Sequence, residues 1–238
     1  MILQWLRSLI FVGQMYLMML VMGIVFLPLA LASPKGASFA CQTFTRWVRW
    51  TARWMLGLRT EIRGTPPTGE VMIAAKHQSF LDIILIFNAM PRPKFIMKAE
   101  LVYAPVIGQY ARRLGSIPVK RGKRAEAIKT MLADVEAGRD LPGQLVIYPQ
   151  GTRVAPRVSA PYKIGTGALY REMGQPCVPV ATNVGHFWPR KGILRKPGLA
   201  VVEFLDPIAP GMPVEAFMET IETQIEARSN ALLDEAEA

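Results

Sequence analysis

The hydrophobic pattern divides the chain into an apolar run, a two-striped helix and a long alternating body. Residues 9–32, LIFVGQMYLMMLVMGIVFLPLALA, form a stretch of 24 residues with no charge, in which Gln14 is the one strongly polar side chain. About 20 apolar residues suffice to cross the ~30 Å hydrocarbon core of a bilayer. A cleaved signal peptide has a shorter apolar region, about 7–15 residues, and a cleaner cleavage site than Leu29-Ala30-Leu31-Ala32-Ser33. The run therefore predicts a retained membrane anchor, which spans the bilayer or, if Pro28 breaks it, re-enters one leaflet. Over residues 44–58, Arg46, Arg49 and Arg53 recur at helical spacing, and Trp47, Trp50 and Trp54 recur one position later. Indoles favour the headgroup level and guanidiniums reach lipid phosphates, so this segment predicts a helix lying on an anionic bilayer surface. A core helix with a solvated arginine face is the plainer alternative.

The remainder alternates between short apolar runs bounded by Gly or Pro and longer helical patterns. Strands are predicted over 59–63, 71–75, 94–97, 116–120, 145–148, 177–182 and 200–205, and helices over 80–90, 100–114, 124–136, 167–173 and 214–233. Such alternation predicts an α/β fold, a mixed and largely parallel sheet flanked by helices. The division is residues 1–58 as membrane anchor and interfacial helix, and 59–238 as the body.

Charge narrows the partners. The net charge is +10, but residues 215–238 hold seven acids and one base, so an acidic tail caps a body of +16. A basic body binds polyanions. The aromatic residues beside the basic stripe belong to the membrane segment, which favours anionic lipid over nucleic acid. Only Arg7 precedes the apolar run, whereas Lys35, Arg46, Arg49, Arg53, Arg59 and Arg63 follow it, which places residues 33 onward on the cytoplasmic side of the inner membrane. The two cysteines, Cys41 and Cys177, and the two histidines, His77 and His186, are too few and too scattered for a disulfide framework or a multi-His metal site.

Reactive side chains cluster in loops after the predicted strands. After VMIAA comes Lys76-His77-Gln78-Ser79-Phe80-Leu81-Asp82. Residues five apart on one helix diverge by about 140°, so His77 and Asp82 meet only if His77 ends a strand and Ser79 caps the next helix. Ser79-x-x-Asp82 has the form of a capping box. The pair would hold His77 in one tautomer with its other nitrogen free as a base; a capping Asp beside an ordinary loop His accounts for the same residues. Lys98 and Glu100 follow a strand in FIMKAEL, and residues 112–124 carry six bases and no acid, with Lys120 and Arg121 at a strand end. Bases there line the crevice in which open α/β sheets bind ligands, or form a solvated face. In LVIYPQGTRV, Gly151 permits close backbone approach, Thr152 offers a hydroxyl and Arg153 a planar fork suited to phosphate. The last block, CVPVATN, reads as a wall.

In this order, HQSFLD, KAEL with the basic run to Arg121, YPQGTR and VPVA resemble the four motif blocks of the glycerolipid acyltransferases, the 1-acylglycerol-3-phosphate acyltransferase family, over residues 59–205. The resemblance implies His77 as catalytic base and Asp82 as its partner. It implies that Arg121, Gly151, Thr152 and Arg153, with Lys98 nearby, hold the phosphate of lysophosphatidate. The acyl group would come from acyl-CoA or acyl-carrier protein as co-substrate, and no metal or bound cofactor is implied. Another lyso-lipid acceptor, such as lyso-ornithine lipid, or a non-catalytic adaptor on anionic lipid, are the alternatives. The third block usually reads F-P-E-G-T-R; here Gln150 replaces the Glu, and its expected part is to organise the loop.

Overall fold

The computed structural model describes residues 2–119, 133 and 143–238; Lys120, Arg121 and the helix expected over 124–136 lie outside them. The chain opens with helices α1 (Ile2–Val25), α2 (Leu27–Ala32) and α3 (Pro34–Thr51), followed by a π-helical turn, Ala52–Leu56. Strands β1 (Leu58–Arg63), β2 (Val71–Ala75), β3 (Pro93–Lys98), β4 (Ile117–Val119), β5 (Gln144–Ile147), β6 (Cys177–Thr182) and β7 (Gly198–Phe204) form one sheet in the order β1-β7-β6-β2-β5-β3-β4. Every neighbouring pair is parallel except β6 and β7. The other helices are α4 (Phe80–Ala89), α5 (Ile107–Arg113), α6 (Gly165–Met173), α7 (Val184–Phe187) and α8 (Val214–Glu237).

Two cores lie on opposite faces of the sheet, and the central strands feed both by simple alternation. Val71, Ile73 and Ala75 of β2 enter the core formed with α1, α3 and α4, while Met72 and Ala74 enter the one formed with α6 and α8. On the second face Phe217, Ile221 and Ile225 of α8 are fully buried at helical spacing, and Tyr170 stacks on Phe217 with centroids 3.8 Å apart.

Helices α1 and α3 are part of the first core, whereas Ala30 of α2 packs in a separate cluster with Ala37, Ala40 and Tyr110. Phe11 and Met15 of α1 and Val48 of α3 pack with Ile73, Leu85 and Val202. Polar residues of α1 face the body: Gln4 Nε2 donates to the Arg195 carbonyl at 2.8 Å, Ser8 Oγ accepts from the Arg195 amide at 2.9 Å, and Gln14 Oε1 accepts from Trp47 Nε1 at 3.1 Å. The opposite side of α1 is apolar and exposed, including Leu3, Ile10, Leu17, Leu20 and Ile24. By length and composition α1 could cross a membrane.

Two expected helices differ. The two-striped segment is the end of a longer helix, α3, closed by the π-helical turn, and its stripes are split by burial: Arg46, Arg53, Trp50 and Trp54 are exposed, whereas Arg49 donates to Asn88 Oδ1 and, at 2.9 Å, to Thr60 Oγ1. Arg49 therefore braces α3 against α4 and β1, not lipid. The single helix expected over 100–114 is a 3₁₀ turn, Ala99–Tyr103, and then α5. Pro105 drives Ala104 to an extended conformation (ψ 129°), and Val106 takes φ +65°, which interrupts the helix.

Candidate active site

β2 ends at Ala75, and the alternation of its side chains carries into the loop that follows: Lys76 continues toward the α8 face and His77 toward the α4 face. Ser79 then caps α4. Its Oγ accepts from Leu81 N at 3.1 Å, while Asp82 in the first turn accepts from Ser79 N at 2.7 Å and Gln78 N at 2.8 Å through Oδ2. These two backbone donors fix the carboxylate. Its other oxygen, Oδ1, lies 2.8 Å from His77 Nδ1 and accepts from the Tyr148 hydroxyl at 3.2 Å. Asp82 is fully buried and the His77 side chain is 14% exposed, so the carboxylate is shielded while the imidazole reaches the surface.

Tyr148, one residue beyond β5, lies flat against the imidazole with centroids 3.9 Å apart and planes 19° apart. Its burial and the adjacent Asp82 charge push the phenol well above the ordinary tyrosine range, so it stays protonated and donates. From sequence it reads as an ordinary strand residue; the useful sign was its place directly before Pro149 and Gln150 in the third block.

The Gln150–Arg153 loop follows β5, which lies beside β2, and is tied to the His77 loop by Val154 N donating to the His77 carbonyl at 2.8 Å. Gly151 has φ +67°, and a methyl group there would lie 2.6 Å from the Lys163 ammonium nitrogen. Glycine is thus favoured by its left-handed backbone, while the flexible lysine tip could swing aside from a methyl group. Lys163 is a base that the sequence pattern did not single out. Thr152 and Arg153 are half-exposed on this loop, and the Arg153 carbonyl accepts from Arg190 Nη1 at 3.2 Å. Lys98 is exposed at the end of β3, the next strand beyond β5. The carboxyl ends of β2, β5 and β3 therefore bring His77, Asp82, Gly151, Thr152, Arg153 and Lys98 to one edge of the sheet; Arg121 lies outside the described residues.

Below the loop is a second polar cluster. Lys76, 2% exposed, donates to Glu226 of α8 at 2.6 and 2.7 Å, and the same carboxylate accepts from the Tyr162 hydroxyl at 2.9 Å and Gln150 Nε2 at 3.4 Å. Gln150 Nε2 also donates to the Ala160 carbonyl at 3.3 Å, a contact across the loop that carries both residues.

Chemically, an imidazole whose Nδ1 is held by a buried carboxylate presents Nε2 as a proton acceptor, and bases beside it suit an anionic ligand. Residues 59–183 match the family model for Acyltransferase. The chain is 27% identical over 202 residues to the 1-acyl-sn-glycerol-3-phosphate acyltransferase of Pseudomonas aeruginosa, covering 84% of this chain and 77% of that one. It is 25% identical over 195 residues to 1-acyl-sn-glycerol-3-phosphate acyltransferase alpha of Mus musculus, covering 79% and 68%. The crystal structure of the 1-acyl-sn-glycerophosphate (LPA) acyltransferase PlsC from Thermotoga maritima superposes with a TM-score of 0.78 at 20% identity, over 95% of each chain, which establishes a shared fold.

Proposed function

We infer the reaction from one premise: the chain belongs to the acyltransferase family. On that premise it transfers a fatty acyl group from an acyl thioester to the free hydroxyl of 1-acylglycerol 3-phosphate, which gives phosphatidic acid for phospholipid synthesis. The observation that carries this reading is the fully buried Asp82 carboxylate, fixed by two backbone amides and set 2.8 Å from His77 Nδ1.

His77 Nε2 takes the proton from the acceptor hydroxyl as its oxygen attacks the thioester carbonyl, and Asp82 stabilises the imidazolium that forms. The tetrahedral adduct collapses with cleavage of the carbon–sulfur bond, and the departing thiolate takes the proton from the imidazolium. The thioester is already activated, so acyl-CoA or acyl-carrier protein serves as co-substrate and no metal or bound cofactor enters the scheme. Gly151, Thr152 and Arg153 hold the acceptor phosphate, with Lys98 at the neighbouring strand end. Arg121 joins them on the sequence pattern alone.

The acceptor is a membrane lipid, and His77 opens on the sheet face covered by α1, α3 and α4. The exposed apolar side of α1 with Trp50 and Trp54, whose rings stack 6.4 Å apart, supports association with a bilayer. Exposed Arg46 and Arg53 suit anionic lipid and no nucleic acid is involved; the charge asymmetry around the apolar run supports the cytoplasmic face of the inner membrane.

The test is to incubate the purified full chain with lysophosphatidate and either labelled acyl-CoA or labelled acyl-carrier protein, and to identify the lipid product. Phosphatidic acid is expected from the wild type and none from His77→Ala. Preference for lyso-ornithine lipid would overturn the phosphate cradle, and near wild-type turnover by His77→Ala would overturn the base and favour a lipid-binding adaptor.

A further inference from the structure

Lys76 and His77 are consecutive, yet they project to opposite faces of the sheet. His77 meets Asp82 on the α4 side, and Lys76 meets Glu226 on the α8 side, 150 residues away in sequence. An ammonium that is 2% exposed needs an opposite charge, because an unpaired buried charge is strongly destabilising. Both Glu226 oxygens supply it, at 2.6 and 2.7 Å. At position 150 the loop after β5 offers no such charge, since Gln150 is neutral. It reaches only to 3.4 Å from Glu226 Oε1, and its own Oε1 is buried with no hydrogen-bond partner among the described residues.

We propose that Glu226 is a positioning residue of the acyl-transfer site, supplying from α8 the carboxylate that the loop itself lacks at Gln150. Through Lys76 it fixes the end of β2 from which His77 projects; through Gln150 and Tyr162 it fixes the loop that carries Gly151, Thr152 and Arg153. The inference rests on the reading of His77 as the base and deepens it. Glu226 touches no reacting atom. It acts by holding two loops in register, and a misplacement of about 1 Å can cost on the order of 10²-fold in rate.

The arrangement makes a prediction with a sign. Position 150 already reaches the cluster, so a carboxylate placed there by Gln150→Glu sits against Glu226 and two anions compete for one ammonium. In the Glu226→Gln background the same change restores one carboxylate and one amide with their positions exchanged. Each single substitution harms, and the second repairs the first.

The experiment uses the full chain in detergent micelles: wild type, Glu226→Gln, Gln150→Glu, the double variant and His77→Ala. Thermal melting and acyl transfer to lysophosphatidate are measured on all five. For Glu226→Gln we expect melting lower by about 10 °C. We expect kcat to fall roughly 10- to 100-fold, with KM for lysophosphatidate rising less than about threefold. The double variant should return to within about threefold of wild-type kcat and recover most of the melting loss. A Glu226→Gln variant within about twofold of wild type in kcat and unchanged in melting would overturn the proposal. So would a double variant no better than Glu226→Gln, whether inactive or unfolded. Turnover by His77→Ala, or none by the wild type, would instead count against the catalytic reading, and the melting cycle would still decide whether Glu226 and position 150 exchange roles.

Discussion

Asp82→Asn separates the two jobs of one carboxylate. In the wild type Oδ2 accepts from the Gln78 and Ser79 amides, while Oδ1 serves His77 Nδ1 and the Tyr148 hydroxyl. The backbone amides can only donate, so the asparagine oxygen must face them and its NH₂ group must face the imidazole. His77 Nδ1 then has to accept, which moves the ring proton to Nε2 and blocks the nitrogen that should take the substrate proton. The wrong tautomer in a comparable carboxylate–histidine pair costs about 10⁴-fold in kcat, or about 5 kcal/mol. Folding should suffer less, because both backbone bonds persist and mainly charge assistance is lost. A cost of about 2 kcal/mol corresponds to a melting shift of about 4–8 °C at this chain length. Initial rates with lysophosphatidate and acyl-CoA should show the loss in kcat with little change in KM, and nitrogen NMR of labelled histidine should show the proton shifted to Nε2. A folded variant that keeps kcat within tenfold of wild type would refute the tautomer argument.

Arg153→Lys keeps a charge but loses the planar fork, so KM for lysophosphatidate should rise about tenfold while a phosphate-free acceptor, poor from the start, loses little further. Trp50→Ala/Trp54→Ala should weaken binding to anionic vesicles about tenfold or more in sedimentation without lowering the melting temperature, since both rings are exposed. Deleting residues 2–32 should instead abolish the cooperative melt, because it removes Phe11 and Met15 from the core. Burial pushes the Cys177 thiol up to about 12. The folded state then holds a proton that the unfolded chain releases near pH 8.5, so its contribution is complete below that pH and falls by about 1.4 kcal/mol per unit toward pH 12. Chemical denaturation across pH 8–11 should show that decline, made shallower by Cys177→Ala, and a thiol reagent at pH 8 should label Cys177 only upon unfolding.

Elements whose burial is settled by their own residues were legible from sequence. β2 and β6 fall at the expected bounds because both are buried on two faces and read as continuous apolar runs. The His77–Asp82 contact was legible because capping chemistry is local: Ser79 and Asp82 place the carboxylate whatever the rest of the chain does. What escaped depends on distant partners. Arg49 looks like a lipid contact until Asn88 and Thr60 take it up, and the 3₁₀ break before α5 needs Val106 at a positive φ that an apolar pattern does not announce. Tyr148 resembles any aromatic strand residue until the imidazole lies on it. Glu226 looks like one acid among the seven of the tail.

That tail is bound along its length to parts made long before it. Besides Glu226 on Lys76, Ser229 Oγ accepts from Thr182 N at 3.2 Å and the Leu232 carbonyl from Asn183 Nδ2 at 2.9 Å. Arg228 pairs with Glu203 at 2.8 Å, and Glu235 with Arg63 at 2.6 Å. A ribosome therefore makes every described strand before the helix that joins them exists. During that interval the nascent chain carries Lys76 without its acid and one face of the sheet without its cover, while α1, made before every described strand, is already free to pack or to meet a membrane. Cover for the second face of the sheet therefore waits on a helix made after all the described strands, and the Lys76–Glu226 pair is among the last contacts those strands can gain.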